Sequence, residues 1–233
     1  MRLRHITGSE NYVAASPYVV QAPEKNRNSW RKYFGNDHPI HVEIGMGKGQ
    51  FILALAKQHP EINYIGIERY DTVLFKALKK REKLEAEEKL SNVVFISIDA
   101  RLLGDVFGPE EIDRIYLNFS DPWPKDRHQN RRLTSPVFMK YYESCLKKNG
   151  RLEFKTDNQE LFSYSVTAIP EAGWVISQIT RDLHHDAEMC AGNVMTEYEE
   201  KFSQKGNPIC KLIAVPGVGQ ASPDTDSDPD PEK

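Results

Sequence analysis

The sequence predicts an open, mostly parallel α/β sheet with helices on both faces. Strand-like and helix-like segments alternate five times through the middle of the chain, and two further strands follow. The first strand runs into a glycine-rich turn that opens a helix. Successive strands then end in acidic or polar residues, on the edge where sheets of this kind bind ligands.

The first strand, HVEI (41–44), is short and apolar. A helix from Gln50 to about His59 places Phe51, Ile52, Leu55 and Ala56 on one face and stops before Pro60. NYIGIE (63–68) is the second strand, and residues 72–90 form a charged helix with Val73, Leu74, Ala77, Leu78 and Leu84 as its apolar stripe. NVVFISID (92–99) and DRIYLNF (113–119) are strands three and four. Thr134 or Ser135 caps the next helix, with Pro136 in its first turn. Val137, Phe138, Tyr141, Tyr142 and Cys145 point inward, and Lys147, Lys148 and Gly150 close it. RLEFKTD (151–157) is strand five, and Asp157 is expected to cap a helix over 159–169 with Glu160 as reciprocal partner. WVISQIT (174–180) and PICKLIAV (208–215) are the late strands, with a helical TEYEEKF (196–202) between them.

The charge is uneven along the chain. The 233 residues hold 31 Lys+Arg against 34 Asp+Glu, a net charge of -3 that argues against a polybasic nucleic-acid binder. Residues 217–233, however, carry -4, three prolines and no aromatic residue, and are expected to be a disordered acidic tail. That leaves +1 for residues 1–216, with +4 in a basic, partly flexible N-terminal arm (1–35) and +3 in the segment 125–132. Residues 36–216 form the expected folded domain. Cys145, Cys190 and Cys210 are far apart and give neither a disulfide framework nor metal-ligand spacing. His184 and His185 are adjacent and cannot share one helix face. With no apolar signal core and no run of roughly 20 apolar residues, the expectation is a cytoplasmic protein without metal or membrane attachment.

The strand ends carry the chemistry. E-I-G-M-G-K-G supplies Glu43 and the glycines Gly45, Gly47 and Gly49. The spacing is not the G-x-G-x-x-G of dinucleotide folds, and a carboxylate before the glycines suits a cationic or amine-bearing ligand rather than a pyrophosphate. Glu68 suits ribose hydroxyls, or is a surface acid preceding the helix and pairing with Arg69. Asp99, followed by Ala100, suits an adenine amino group, or is a plain helix cap. Strand four ends in N-F-S-D-P-W-P-K, where two prolines around Trp123 imply a rigid extended loop presenting Asp121 and Lys125. The following Arg127, His128, Gln129, Asn130, Arg131 and Arg132 suit phosphate and base-edge contacts, or form a solvated loop. Lys155, Thr156 and Asp157 reach the same edge, and Thr196 and Glu199 begin a late helix.

Together, E-I-G-M-G-K-G, G-I-E-R, N-F-S-D-P-W-P-K-x-R-H-x-x-R-R-L, F-K-T-D-N and T-x-Y-E-x-K-F make the chain, over roughly residues 1–215, resemble the bacterial tRNA (guanine-N7-)-methyltransferase family. The resemblance implies a Rossmann-like class I methyltransferase fold of seven strands, with S-adenosyl-L-methionine as cofactor and tRNA as partner. By the same resemblance, Glu43, Gly45, Gly47, Glu68, Asp99, Ala100 and Asp121 match cofactor positions, and Asp121 is also the catalytic residue. Lys125, Asp157, Thr196 and Glu199 match substrate positions, and Arg127 to Arg132 the RNA-contacting loop. A monomer or homodimer is expected. Two other readings stay open: a class I methyltransferase with a small-molecule or protein acceptor, and a non-catalytic RNA-binding protein on the same scaffold. A nicotinamide dehydrogenase is the weakest contender, given its different glycine spacing.

Overall fold

The first strands of the sheet are short, rich in apolar side chains and buried on both faces, and they form the centre of the molecule. The computed structural model describes residues 5–87 and 89–217, so the expected acidic tail lies outside them apart from Gly217. The strands are β1 (Ile40–Ile44), β2 (Asn63–Ile67), β3 (Val93–Ile96), β4 (Ile112–Asn118), β5 (Leu146–Thr156), β6 (Trp174–Thr180) and β7 (Cys210–Pro216). All five residues of β1 and of β2 are buried. The sheet order is β3-β2-β1-β4-β5-β7-β6, with β7 antiparallel to both its neighbours, so the seven-stranded sheet implied by the resemblance is present. The order reverses between β1 and β4, the point at which such sheets open a crevice for ligands.

The helices are α1 (Ser9–Ala15), α2 (Trp30–Phe34), α3 (Gln50–Gln58), α4 (Asp71–Glu85), α5 (Leu103–Val106), α6 (Pro136–Glu143), α7 (Gln159–Glu171), α8 (Ala187–Cys190) and α9 (Glu197–Ser203). On one face, Phe51 and Ile52 of α3 and Leu74, Ala77 and Leu78 of α4 pack with Tyr64, Phe95 and Tyr116. On the other, Phe138, Met139 and Tyr142 of α6 and Leu161 and Phe162 of α7 cover Val42, Ile65, Ile115, Leu152 and Phe154.

Several local expectations are corrected. The basic segment 1–35 is built into the body over its described residues. Trp30 has no exposed surface, donates its indole N–H to Val106 O at 2.9 Å and stacks on Phe107. Val19 forms a parallel bridge with Phe95 beside β3. The helix expected to close at Gly150 ends at Glu143. Cys145 and Leu146 pair with Ile112, and Lys147 bonds Asp113 at 2.5 Å. Residues 147–150 form an irregular stretch at the start of β5, before Arg151 pairs with Arg114. Gly150 is required there because a β-carbon would lie 2.8 Å from Leu146 Cγ and 2.9 Å from Lys147 O. Val137 points outward rather than into the core. Helix α7 is capped by Asn158, whose side chain accepts from Leu161 N at 2.7 Å; Asp157 takes no part in the cap and remains at the strand end. Helix α4 stops at Glu85, where Arg81 and Leu90 N share the Glu85 carboxylate.

Candidate active site at the carboxyl ends of the strands

The turn after β1 hangs from the end of β2. Gly45 N and Met46 N both donate to Ile67 O, at 2.9 and 3.0 Å, and Gly47 N donates to Glu68 Oε2 at 3.1 Å. Gly45 and Gly47 have φ of 73° and 58°, and nothing lies within 4 Å of where their β-carbons would stand. Left-handed backbone selects glycine here, and the missing side chains leave an open cradle. Beneath it, Glu43 is 2% exposed. Its Oε1 accepts from Asn118 Nδ2 at 2.9 Å, and its Oε2 is buried without a partner. Burial pushes the Glu43 carboxyl up to about 8, against the pull of Asn118 and Lys155.

Glu68 is also buried, which raises its carboxyl above the usual range. One oxygen accepts from Gly47 N and the other from Tyr70 N at 3.0 Å. Glu68 therefore shapes the turn as well as facing it. Asp99 lies three residues beyond the end of β3. It accepts from Arg101 N and is gripped by the Arg101 guanidinium at 2.8 and 2.9 Å, with Arg69 3.6 Å away. These cations hold its carboxyl below the usual range. The cap reading of Asp99 is thus realised, and Ala100 opens the short turn that it caps.

The loop after β4 departs from a simple extended path. Phe119 and Trp123 have φ of 51° and 42°, strained values for residues with side chains, and they flank Asp121 on either side. Asp121 and Lys125 are exposed and form no ion pair with another described residue, while Ser120 Oγ is buried without a partner. Arg132 explains why the loop holds this shape. Its guanidinium donates to Pro122 O at 3.1 Å and to Trp123 O at 3.1 and 3.3 Å, and it lies over the Tyr164 ring at 4.2 Å. Trp123 is covered by Arg131 at 5.0 Å and by the edge of His128 at 5.7 Å. Arg127, Gln129 and Asn130 stay exposed on a short helical turn, Asp126–Arg131.

Beyond β5, Asp157 Oδ2 accepts from Tyr198 OH at 3.2 Å. Thr196 caps α9 by accepting from Glu199 N at 3.0 Å. Glu199 is not at the surface. It has no exposed area, meets Lys155 Nζ at 2.6 Å, accepts from Asn193 Nδ2 at 2.8 Å and has His184 Nε2 at 3.4 Å. Burial pulls the Lys155 ammonium below its ordinary value while Glu199 holds it up. Of the sequence-expected residues, Glu43, Gly45, Gly47 and Glu68 meet in one cluster. Asp121, Lys125 and Asp157 stand exposed or half-exposed at the strand ends, and Glu199 lies beneath them.

Sequence reasoning missed Asn118, which orients Glu43, and the aromatic step of Phe119, Tyr198 and Phe202, with centroids 4.9 and 4.1 Å apart in succession. Asn118 closes β4, where four consecutive residues are buried, and nothing local pairs Phe119 with Tyr198, which are 79 residues apart. Among the described residues, no group of three or more His, Cys, Asp or Glu is placed to hold a metal ion, and no helix is long and apolar enough to cross a membrane.

Residues 37–212 match the protein family described as "Putative methyltransferase". The tRNA (guanine-N(7)-)-methyltransferase of Lachnoclostridium phytofermentans is 54% identical over 214 residues, spanning 92% of this chain and 98% of that protein. The enzyme of the same description from Bacillus subtilis is 48% identical over 210 residues, 90% of this chain and 96% of that one. Among solved structures, a 16S rRNA (adenine(1408)-N(1))-methyltransferase from Catenulisporales acidiphilia with cosubstrate SAM shares the fold. It has a TM-score of 0.57 at 14% identity, covering 83% of this chain and 92% of that one.

Proposed function

The chain belongs to the tRNA (guanine-N7-)-methyltransferase family, and on that premise we propose that it methylates N7 of the variable-loop guanine of tRNA (conventional position 46). The methyl group is supplied by S-adenosyl-L-methionine when that cofactor is bound. The observation that carries this reading is the buried, unpartnered Glu43 Oε2 beside the open Gly45–Gly47 cradle. A carboxylate oxygen without a donor, in a site that a β-carbon would fill, fits a cationic ligand with amine donors. Glu43, Gly45 and Gly47 would hold the amino-acid end, Glu68 the ribose, and Asp99 with Ala100 the adenine.

Guanine N7 is a lone-pair acceptor that carries no proton, so the reaction has no obligatory general base. The protein instead has to hold N7 in line with the methyl carbon, at roughly 3–3.5 Å, and tolerate positive charge developing on the ring. Asp121 is an exposed carboxylate held between two strained residues, and Asp157 has one oxygen committed to Tyr198 and the other open. Both can accept from guanine N1–H and the exocyclic amine, which selects guanine and favours its cationic product. Asp121 therefore orients the base rather than removing a proton. Lys125 and the segment Arg127 to Arg132 would meet phosphates, and freeing the base from its tertiary pairing costs a few kcal/mol that such contacts offset. Glu199 supports the substrate edge from below, through Lys155.

In this reading, residues 36–216 carry catalysis, the basic segment 1–35 adds tRNA contact and 217–233 is an acidic tail. The three free cysteines support a cytoplasmic working place, for a monomer or homodimer. Incubation with methyl-labelled cofactor and an unmodified tRNA transcript tests the proposal. Label should appear as 7-methylguanosine, and only in a transcript that has the variable-loop guanine. Equal labelling of a transcript lacking that base would overturn it.

A further inference from the structure

Helix α9 joins elements that are distant in the chain. Its first residue, Glu197, sets its carboxylate between two ammonium groups. Lys48 Nζ, in the glycine turn after β1, lies 2.7 Å from one oxygen, and Lys80 of α4 donates to the other. Two residues on, Glu199 is buried against Lys155 of β5. The same Lys155 ammonium donates to Asn193 Oδ1 and Val194 O, both at 3.0 Å, and so fixes the segment that leads into the helix. Between the two acids, Tyr198 reaches Asp157 at the end of β5.

The two attachments differ in kind. Lys155 and Glu199 have side chains 4% and 0% exposed, and this pair is a permanent part of the interior. The Glu197 bridge is open to water, with side chains 38% exposed for Glu197 and 53% for Lys48. Such a bridge is weak, salt-sensitive and readily broken and remade. The inner pair therefore holds α9 to the substrate strand at all times, whereas the outer bridge ties it to the glycine turn conditionally.

We propose that Glu197 is a positioning residue that couples the two ligand sites, by tying the glycine turn to the helix that sets Tyr198 against Asp157. The inference rests on the assignment of the turn to the cofactor and of Asp157 to the tRNA side. A cofactor that orders the turn fixes Lys48, strengthens the bridge and sets the substrate edge. By linkage, tRNA bound at that edge tightens cofactor binding by the same factor.

The test measures tRNA affinity with and without saturating S-adenosylhomocysteine, and S-adenosylhomocysteine affinity with and without tRNA. In the wild-type protein both ratios should be about five-fold, equal to one another, and smaller at high salt. Glu197→Gln keeps the size and polarity of an exposed side chain and should fold normally. It should bring the ratio to within about two-fold of unity and remove its salt dependence, with each ligand's affinity alone little changed. Lys80→Met should do the same in part. A wild-type ratio retained in Glu197→Gln overturns the coupling, as does an equal weakening of both separate affinities, which marks a merely structural role. Wild-type protein that binds neither ligand overturns the site assignment and the coupling together. Wild-type protein that methylates tRNA, with coupling untouched by the substitution, overturns the coupling alone.

Discussion

Asn118 of β4 donates to Glu43 of β1 at 2.9 Å and leaves the second oxygen of that buried carboxyl without a partner. The two residues sit on the adjacent strands where the sheet order reverses, so a carboxyl that is only half satisfied stands at the point where sheets of this kind bind ligands.

Cofactor affinity should therefore depend on pH through Glu43. With the carboxyl pushed up to about 8, the ligand-free protein is largely protonated there at neutral pH, whereas a permanently cationic sulfonium ligand favours the carboxylate. Affinity should rise with pH, by up to about ten-fold per unit, and level off above roughly pH 8. Calorimetry in buffers of different ionisation enthalpy should show nearly one proton released per cofactor at pH 7. In Glu43→Gln, affinity should fall and this pH dependence should vanish. The stability of the empty protein moves the opposite way. The folded-state value lies above the unfolded one, so the contribution is complete below about 4.5 and is lost as pH rises through about 8.

Asp121→Asn should lower kcat/KM for tRNA by about 10- to 100-fold, the cost of losing a charge-assisted hydrogen bond to the base. Cofactor affinity measured without tRNA should stay within a few-fold. A near-normal rate at saturating tRNA would remove Asp121 from the orientation of guanine.

The two ends of the basic loop should behave differently. Arg127 is exposed, so Arg127→Ala should raise KM for tRNA and reduce the slope of log affinity against log salt by about one. Arg132 is tied to Pro122 O, Trp123 O and the Tyr164 ring. Arg132→Ala should release the strained Trp123 turn and lower kcat, with a smaller change in salt slope. Identical salt slopes and kcat values for the two variants would contradict this division.

Trp30→Ala should cost about 3–5 kcal/mol of stability, because it empties a fully buried indole site and orphans Val106 O. At this chain length that corresponds to a fall in Tm of roughly 6–20 °C. Differential scanning calorimetry reads it directly, and a shift of under about 2 °C would mean that the segment is not part of the cooperative core.

The centre of the fold was legible because buried strands and amphipathic helices write their periods into local sequence: β1, β2, α3 and α7 lie within a residue or two of their expected places. Boundaries set by distant partners were not. The end of α6 depends on Lys147 meeting Asp113, and the cap of α7 on which of two neighbouring acceptors turns back to Leu161 N. In the site, the acids at the strand ends followed from motif and position. The burial of Glu199 did not, since T-E-Y-E reads as a surface helix start and only the three-dimensional approach of Lys155 draws it inside. The packing of residues 5–35 against the body is not legible in the sequence for a related reason. The charges of that segment are local and visible, whereas the stack of Trp30 on Phe107 joins residues 77 apart.

The antiparallel course of β7 also determines where the protein can be handled. The strand begins at Cys210, opposite Thr156 beside the reactive edge, and passes Ala214 opposite Leu152 before reaching Gly217. At about 3.3 Å per residue, Gly217 itself stands roughly 20 Å from the ligand-facing edge, next to Gly173. On the proposed site, a fluorophore or a surface tether carried at Gly217 stands away from the tRNA-facing edge. On the same proposed site, an attachment on α9 or within residues 125–132 would sit in the path of the incoming nucleic acid.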